Sequence, residues 1–448
     1  MVDNNLILEL NGRPSANFAS STMKTCNKVQ SPAGALASFL LCGFLLFLTV
    51  FFAPQAQALT AEITAVFNPD PGNPQVNQFK NTTPNSGICA IYPGTCIPRG
   101  YFSIGLTGLD AISQRPILAN HANVRDGAMF KVPAEPRPVQ VTSSRGQVAQ
   151  VQFSISALAG TNWTRDVRLM TGIPTSSATT AQSHLWGGFQ WGWSSPAACP
   201  RGAAMGPSYT AGNFFWFTPQ PVPCGVSPAY EIDNLRMANI SVSYLMTAPD
   251  PLRMETGTYR GSITYSVGPG GDFDFGDNLL PTDTSVTLNF TLDVQHTLRF
   301  QFPANSSRIE LIPGGGWQQW LNQGRRPQRL WADQGFNISS STPFSMALQC
   351  EYLVGTLCGI RNPTGHTVVV ETRLTLPNGL RDASDQPVNR QLLSTTPAVY
   401  SPSYYVDNGQ AKLHFEVPQD QMQSMLNDHS GSTYRGTITV ISDSEINF

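Results

Sequence analysis

Thr258-Tyr259-Arg260-Gly261-Ser262-Ile263-Thr264 and, about 175 residues later, Thr433-Tyr434-Arg435-Gly436-Thr437-Ile438-Thr439 are two copies of one short motif. Each copy comes after a turn-rich stretch and enters a β-branched run whose alternate residues share one face, the signature of a half-buried strand. Two copies so far apart predict two domains that share one late strand. The two copies lead into different sequence. After the first, a Gly/Asp loop over 268–277 leads into a second alternating strand, with Val286, Leu288, Phe290 and Leu292 on one face. After the second, the chain reaches Phe448 within a few residues. If the copies are equivalent strands, the first domain has a closing strand and the second lacks one. A sandwich without its last strand exposes an apolar groove and unpaired backbone N–H and C=O groups. A strand donated by another chain removes both faults.

The rest of the chain agrees with an all-β reading. At 448 residues it exceeds the size at which a single core stops growing. Charged residues make up 12%, about half the usual share, and 27 basic against 29 acidic side chains leave no footprint for nucleic acid. Gly (38) and Pro (35) suit many short strands joined by turns. Strands are expected over 60–67, 138–144, 148–155, 240–245, 259–267, 285–294, 297–302, 367–376, 411–417 and 434–441, with a two-turn helix over 420–427. This is the pattern of β-sandwiches.

The N-terminus has the layout of a secretory signal. Lys24 and Lys28 precede an apolar run over 35–53, and Ala56-Gln57-Ala58 comes next as a cleavage site, with Met23 the more ordinary start. A retained membrane anchor is the competing reading of the run. Cys42 is preceded by Leu41, too large for a lipid-attachment site. Beyond residue 58 the cysteines fall in near neighbours, Cys89/Cys96, Cys199/Cys224 and Cys350/Cys358. In an exported chain their proximity implies three local disulfides; CxxC spacing and neighbouring histidines, which zinc would need, are missing.

With these residues in hand, the chain resembles the minor tip subunits of alternate-chaperone (class 5) fimbriae, the colonisation-factor and cable-pilus tip adhesins. The likeness is carried by Tyr259-Arg260-Gly261-Ser262-Ile263-Thr264, by Asn289-Phe290-Thr291-Leu292 running into 298–302, by Arg308-Ile309-Glu310-Leu311 and the Gly314-Gly315-Gly316 turn, and by the terminal Tyr434-Arg435-Gly436-Thr437-Ile438-Thr439-Val440. It is good over 255–320 and the last fifteen residues and only architectural over 59–254. The resemblance implies two immunoglobulin-like sandwiches in tandem, an adhesin domain over 59–295 and a pilin domain over 296–448 that lacks its last strand. It implies a periplasmic chaperone, an outer-membrane usher and a major pilin as partners, a host glycan or glycoprotein as receptor, and a place at the fimbrial tip where assembly starts. A tip subunit needs no donor arm, and 59–67 reads as a strand of the first domain. One departure stands out. The family's adjacent arginines after the penultimate strand are replaced here by the acidic loop 268–277.

The expected donor-strand groove is lined by Leu298, Phe300, Phe302, Tyr434, Ile438 and Val440, unless 442–448 folds back to close the domain. Receptor candidates are Trp186, Trp191, Trp193, Arg201 and Tyr209, in an aromatic stretch that also holds Phe189 and 214–217 and is spanned by the second cysteine pair; flat rings there suit either sugar stacking or core packing. Asp272, Asp274 and Asp277 have spacing reminiscent of calcium ligation, with an acidic turn as the plainer reading. Arg325, Arg326 and Arg329 form the one basic cluster, read as a solvated loop or a contact for an acidic partner. Asn-x-Ser/Thr sites occur at Asn81, Asn162, Asn239, Asn289, Asn305 and Asn337 and reflect polar strand composition. Catalytic motifs for nucleophilic, zinc or nucleotide chemistry are not found, and the six histidines are scattered without triad-like company. The expectation is a binding protein with no cofactor and no metal; a secreted carbohydrate-binding module or β-sandwich glycoside hydrolase is the alternative.

Overall fold

The computed structural model describes residues 6–10, 59–304 and 306–444. The expected leader with Met23 and Cys42, the glycosylation motif's Asn305 and the terminal 445–448 lie outside the described residues. The fold is all-β and multi-domain, with one core drawn from residues between Ile63 and Val294 and another from residues between Leu330 and Val440.

Sixteen strands carry the argument. They are β1 (Leu6–Leu10), β2 (Leu59–Phe67), β3 (Arg137–Ser143), β4 (Val148–Trp163), β5 (Ala211–Phe217), β6 (Arg236–Thr247), β7 (Gly257–Ser266) and β8 (Ser285–Val294). The later ones are β9 (Leu298–Gln301), β10 (Leu330–Ser340), β11 (Phe344–Cys350), β12 (Leu357–Arg361), β13 (Thr367–Thr375), β14 (Ala398–Pro402), β15 (Val406–Val417) and β16 (Gly436–Asp443).

β8 shows why the first core forms. Val286, Leu288, Phe290, Leu292 and Val294 are buried while the residues between them are half-exposed, so one face of the strand is apolar throughout. It pairs antiparallel with β7 on one side and parallel with β2 on the other. The segment 59–67 is therefore a sheet strand, with Ile63, Ala65 and Phe67 buried in the same core. The sheet continues in the order β8, β7, β3, β4, β6, and β5 joins β4. β4 runs 16 residues, twice the expected length. From Ile155 both of its faces are covered, so the alternation that marks a strand in sequence vanishes there.

The second core lies between two sheets. One orders β9, β10, β15, β13, β12; the other orders β1, β16, β11, β14. Phe336, Ile338, Leu413 and Phe415 face Phe344, Leu348, Tyr400, Ile438 and Val440 across the gap. The helix expected over 420–427 is present as Gln419–Asn427. At the junction of the two cores, His296 Nε2 lies 2.7 Å from the Met254 carbonyl and Nδ1 lies 3.0 Å from Ser341 Oγ. Burial holds its pKa below the ordinary histidine value.

The repeated motif has one structural cause in both places. A Cβ on Gly261 would overlap the Gln140 carbonyl oxygen, and a Cβ on Gly436 would sit 2.8 Å from the Gly359 carbonyl oxygen. Each glycine is where a neighbouring backbone crosses too close for any side chain.

Candidate functional site: the outer edge of the last strand

The six expected groove residues belong to one core. Ile438 and Val440 are buried on the inner face of β16; Leu298, Phe300, Phe302 and Tyr434 are half-buried and pack against the same cluster. Phe302 stacks on Phe336 at 4.9 Å between ring centres, and Phe300 meets Phe344 edge-on at 5.9 Å. Tyr434 lies just before β16, outside the strand expected over 434–441, because Arg435 forms an isolated bridge with Arg361. Its hydroxyl bonds His366 Nδ1 at 2.7 Å, and burial raises its pKa.

On its inner side β16 pairs with β11, placing Cys350 opposite Ile438. Cys350 is disulfide-bonded to Cys358 on β12, so the bridge ties the two sheets together beside the last strand. On its outer side the only strand among the described residues is β1, running antiparallel with Leu6 opposite Val440, Leu8 opposite Ile438 and Leu10 opposite Gly436. This is the register of the first domain, where Val286, Leu288 and Phe290 stand opposite Tyr265, Ile263 and Gly261. β1 thus occupies the position that β8 fills in the first core. Residues 442 and 443 do not fold back; they continue β16 along β11, with Asp443 opposite Ser345.

The aromatic stretch divides. Trp186 and Trp191 are each 2% exposed and cannot offer a ring to a receptor, which corrects their assignment as contact residues. Trp186 comes just after the helix Ala178–Leu185, whose start is capped by Ser177, and bonds Gln182 Oε1 through Nε1 at 3.1 Å. Trp191 stacks on Trp216 at 4.7 Å, and its carbonyl accepts from Trp216 Nε1. Of the other candidates, Trp193 is exposed, and its carbonyl accepts from the guanidinium of Arg201, itself exposed. Tyr209 is half-buried beneath the Arg168 guanidinium, 3.8 Å from the ring centre. The surface that remains is Trp193 with Arg201. Sequence reading passed over a second exposed apolar spot, Ile91 and Ile97 in and beside the Cys89–Cys96 loop; its hydrophobic residues carry no periodicity to reveal which way they face.

The acidic loop is not a cation cage. Arg125 pairs with Asp274 and Asp277, and Arg137 pairs with Asp272. Among the described residues no group of three or more His, Cys, Asp or Glu side chains is placed to hold a metal ion. In the basic cluster Arg329 pairs with Glu416 and Arg326 bonds Asn427. One expectation about the histidines is corrected. His414 has triad-like neighbours, Asp333 Oδ1 at 2.7 Å from Nδ1 and Thr375 Oγ1 at 2.9 Å from Nε2. They meet because Asp333 and His414 are opposite each other on β10 and β15, with β13 alongside. Arg390 closes in on the same group, its Nη1 lying 3.1 Å from His414 Nδ1 beside the Asp333 contact and its backbone N–H donating to Thr375 Oγ1. The hydroxyl is thereby held in a cross-strand polar ladder.

The three cysteine pairs form as their spacing suggested. Cys199–Cys224 closes a loop 25 residues long, against separations of 7 and 8 for the others. By loop-closure entropy it contributes about 3.5 kcal/mol and each shorter bridge about 2.4 kcal/mol. The Cys199→Ser/Cys224→Ser variant is therefore expected to lose the most stability of the three double variants, read as the shift in urea midpoint. An equal loss from Cys350→Ser/Cys358→Ser would instead assign the stabilisation to native contacts.

No family model matches the chain, and no curated protein matches it. Among solved structures it is similar to the CsuC–CsuE chaperone–tip adhesion subunit pre-assembly complex from archaic chaperone-usher Csu pili of Acinetobacter baumannii, at 9% identity over 86% of this chain and 98% of that one, with a TM-score of 0.20. The C-terminal domain of the AgI/II polypeptide BspA from Streptococcus agalactiae is similar at 10% identity over 69% and 92% of the two chains, with a TM-score of 0.12. Superpositions this loose carry no argument about what the chain does.

Proposed function

We propose that the protein is an exported fimbrial tip subunit with an adhesin domain over 59–295 and a strand-accepting pilin domain over 296–448. In this reading the open edge of β16 takes a donor strand first from a periplasmic chaperone and then from the next pilin, assembly starts at an outer-membrane usher, and the first domain meets a glycan or glycoprotein on the host surface. The observation that carries it is the occupant of that edge. β16 is completed by Leu6–Leu10, in the register that Ser285–Val294 takes on β7. Those five residues precede the apolar segment read as the leader. A strand before a leader stays on the opposite side of the membrane from the exported domain, and cleavage removes it. Export therefore leaves the edge of β16 unpaired, with a row of free backbone groups beside an apolar core.

The test is export of the full chain to a bacterial periplasm under its own leader, with and without a flexible C-terminal extension ending in a copy of the Ser285–Val294 sequence. N-terminal sequencing of the product establishes removal of 1–58. The expected result is aggregation without the extension and a stable soluble monomer with it. An unextended product that is monomeric and equally heat-stable would remove the reading.

A further inference from the structure

Granted the strand-accepting reading above, we infer that the edge of β16 selects its donor by side-chain size in a fixed order: a large aliphatic opposite Val440, a leucine-sized residue opposite Ile438 and an aromatic opposite Gly436. The first domain supplies the filled version of the same site. There Gly261, Ile263 and Tyr265 stand opposite Phe290, Leu288 and Val286. All three β8 residues are buried, and Phe290 meets Phe153 edge-on at 5.2 Å. Sizes are complementary across the pair: the largest side chain lies opposite the glycine and the smallest opposite the tyrosine. Close packing makes such complementarity a requirement of any core.

β16 keeps two of these positions and changes one. Gly436 matches Gly261, and with the Gly359 carbonyl oxygen 2.8 Å from its would-be Cβ it cannot grow a side chain of its own. The Gly359 carbonyl fills the place of that side chain, and it is the cross-strand neighbour that differs in size: the first domain sets an aromatic, Phe290, opposite its glycine. Ile438 matches Ile263. Val440 stands where the first domain has Tyr265, so the residue opposite it must be larger than Val286 to fill the same space. β1 places Leu6, Leu8 and Leu10 at the three register positions, a uniform set without an aromatic opposite Gly436. Donor positions in between lie beside half-exposed Thr437 and Thr439 and suit polar residues.

Because the pairing is antiparallel, a donor reads from its N-terminus as the residues opposite Val440, Ile438 and Gly436. Four C-terminal extensions on the full exported chain test the order, joined by the same flexible linker. The first carries Leu, Leu, Phe at the three sites. The second carries Phe, Leu, Leu, identical in composition; the third Leu, Leu, Ala; the fourth is the first shifted by one residue. Tm is read for each against the unextended chain. The expected result is the highest Tm for the first, a loss of roughly 5 °C for the second and roughly 10 °C for the third, and little gain from the fourth. Equal Tm for the first and second overturns the size order while leaving strand acceptance intact. Failure of all four to raise Tm overturns the strand-accepting reading itself, and the inference with it.

Discussion

Replacing Trp191 by alanine is expected to lower the stability of the first core by about 3–5 kcal/mol, the range for removing a large aromatic from a closed interior. The ring lies flat on Trp216 and meets Trp186 and Phe214 at 5.3 and 5.2 Å between centres, so its loss opens a cavity bounded by three rigid rings. Rings on opposite sides of that cavity are held by strands β4 and β5 and by the capped helix Ala178–Leu185, which limits collapse into it. Trp193→Ala, two residues on and 51% exposed, is expected to stay within about 0.5 kcal/mol. Urea unfolding monitored by near-UV circular dichroism separates the two. A Trp191→Ala protein as stable as the parent would return that residue to the surface; a Trp193→Ala protein that unfolds would place Trp193 in the core.

The contrast between these two tryptophans marks where sequence stops being informative. In Trp191-Gly192-Trp193 alternation puts the rings on the same side if the segment is a strand, and both would then be core or both surface. The segment is a turn instead, stabilised by Trp193 N–H donating to the Gln190 carbonyl, so the two rings part. β8 was legible because a single buried face needs strict alternation, and the repeated glycine because backbone crowding tolerates no other residue. The far half of β4 was hidden by burial on both faces. Parallel pairing of β2 with β8 was hidden for another reason: it joins residues such as Glu62 and Asn289, 227 positions apart, and no local signal encodes a partner at that distance. That β16 is the second domain's counterpart of β7 was legible from the repeat, whereas the register of the strand beside it, Leu6 opposite Val440, required the pairing of β7 with β8 for comparison.

Arg125 and Asp274, 149 residues apart, are the same kind of hidden pair, and they give the second large effect. The Asp274 side chain is 1% exposed and accepts from Arg125 Nη1 at 2.7 Å and from the backbone N–H groups of Gly270 and Gly276 at 3.0 and 2.9 Å. Burial pushes its carboxyl up, but the hydrogen bonds from Arg125, Gly276 and Gly270 together outweigh that and hold it below the usual carboxylate range. Arg125 is held above its ordinary value, first by Asp277 and then by Asp274. Asp274→Asn leaves the guanidinium paired with Asp277 and replaces a charged acceptor by a neutral one, and is expected to cost about 1.5–3 kcal/mol at neutral pH. The depressed pKa sets the sign of the pH dependence. The unfolded carboxyl binds its proton near pH 4, the folded one lower, so the stabilisation is complete above about pH 4 and disappears as the pH falls through the folded value. Wild-type and Asp274→Asn stabilities should therefore converge on acidification, and the variant's urea midpoint should fall less steeply below about pH 4. Asp277→Asn, whose carboxylate is 46% exposed, should show a smaller effect that added salt weakens. Parallel pH profiles for wild type and Asp274→Asn would mean that the carboxylate does not hold the loop 268–277 against Arg125, and that backbone hydrogen bonds alone fix the loop.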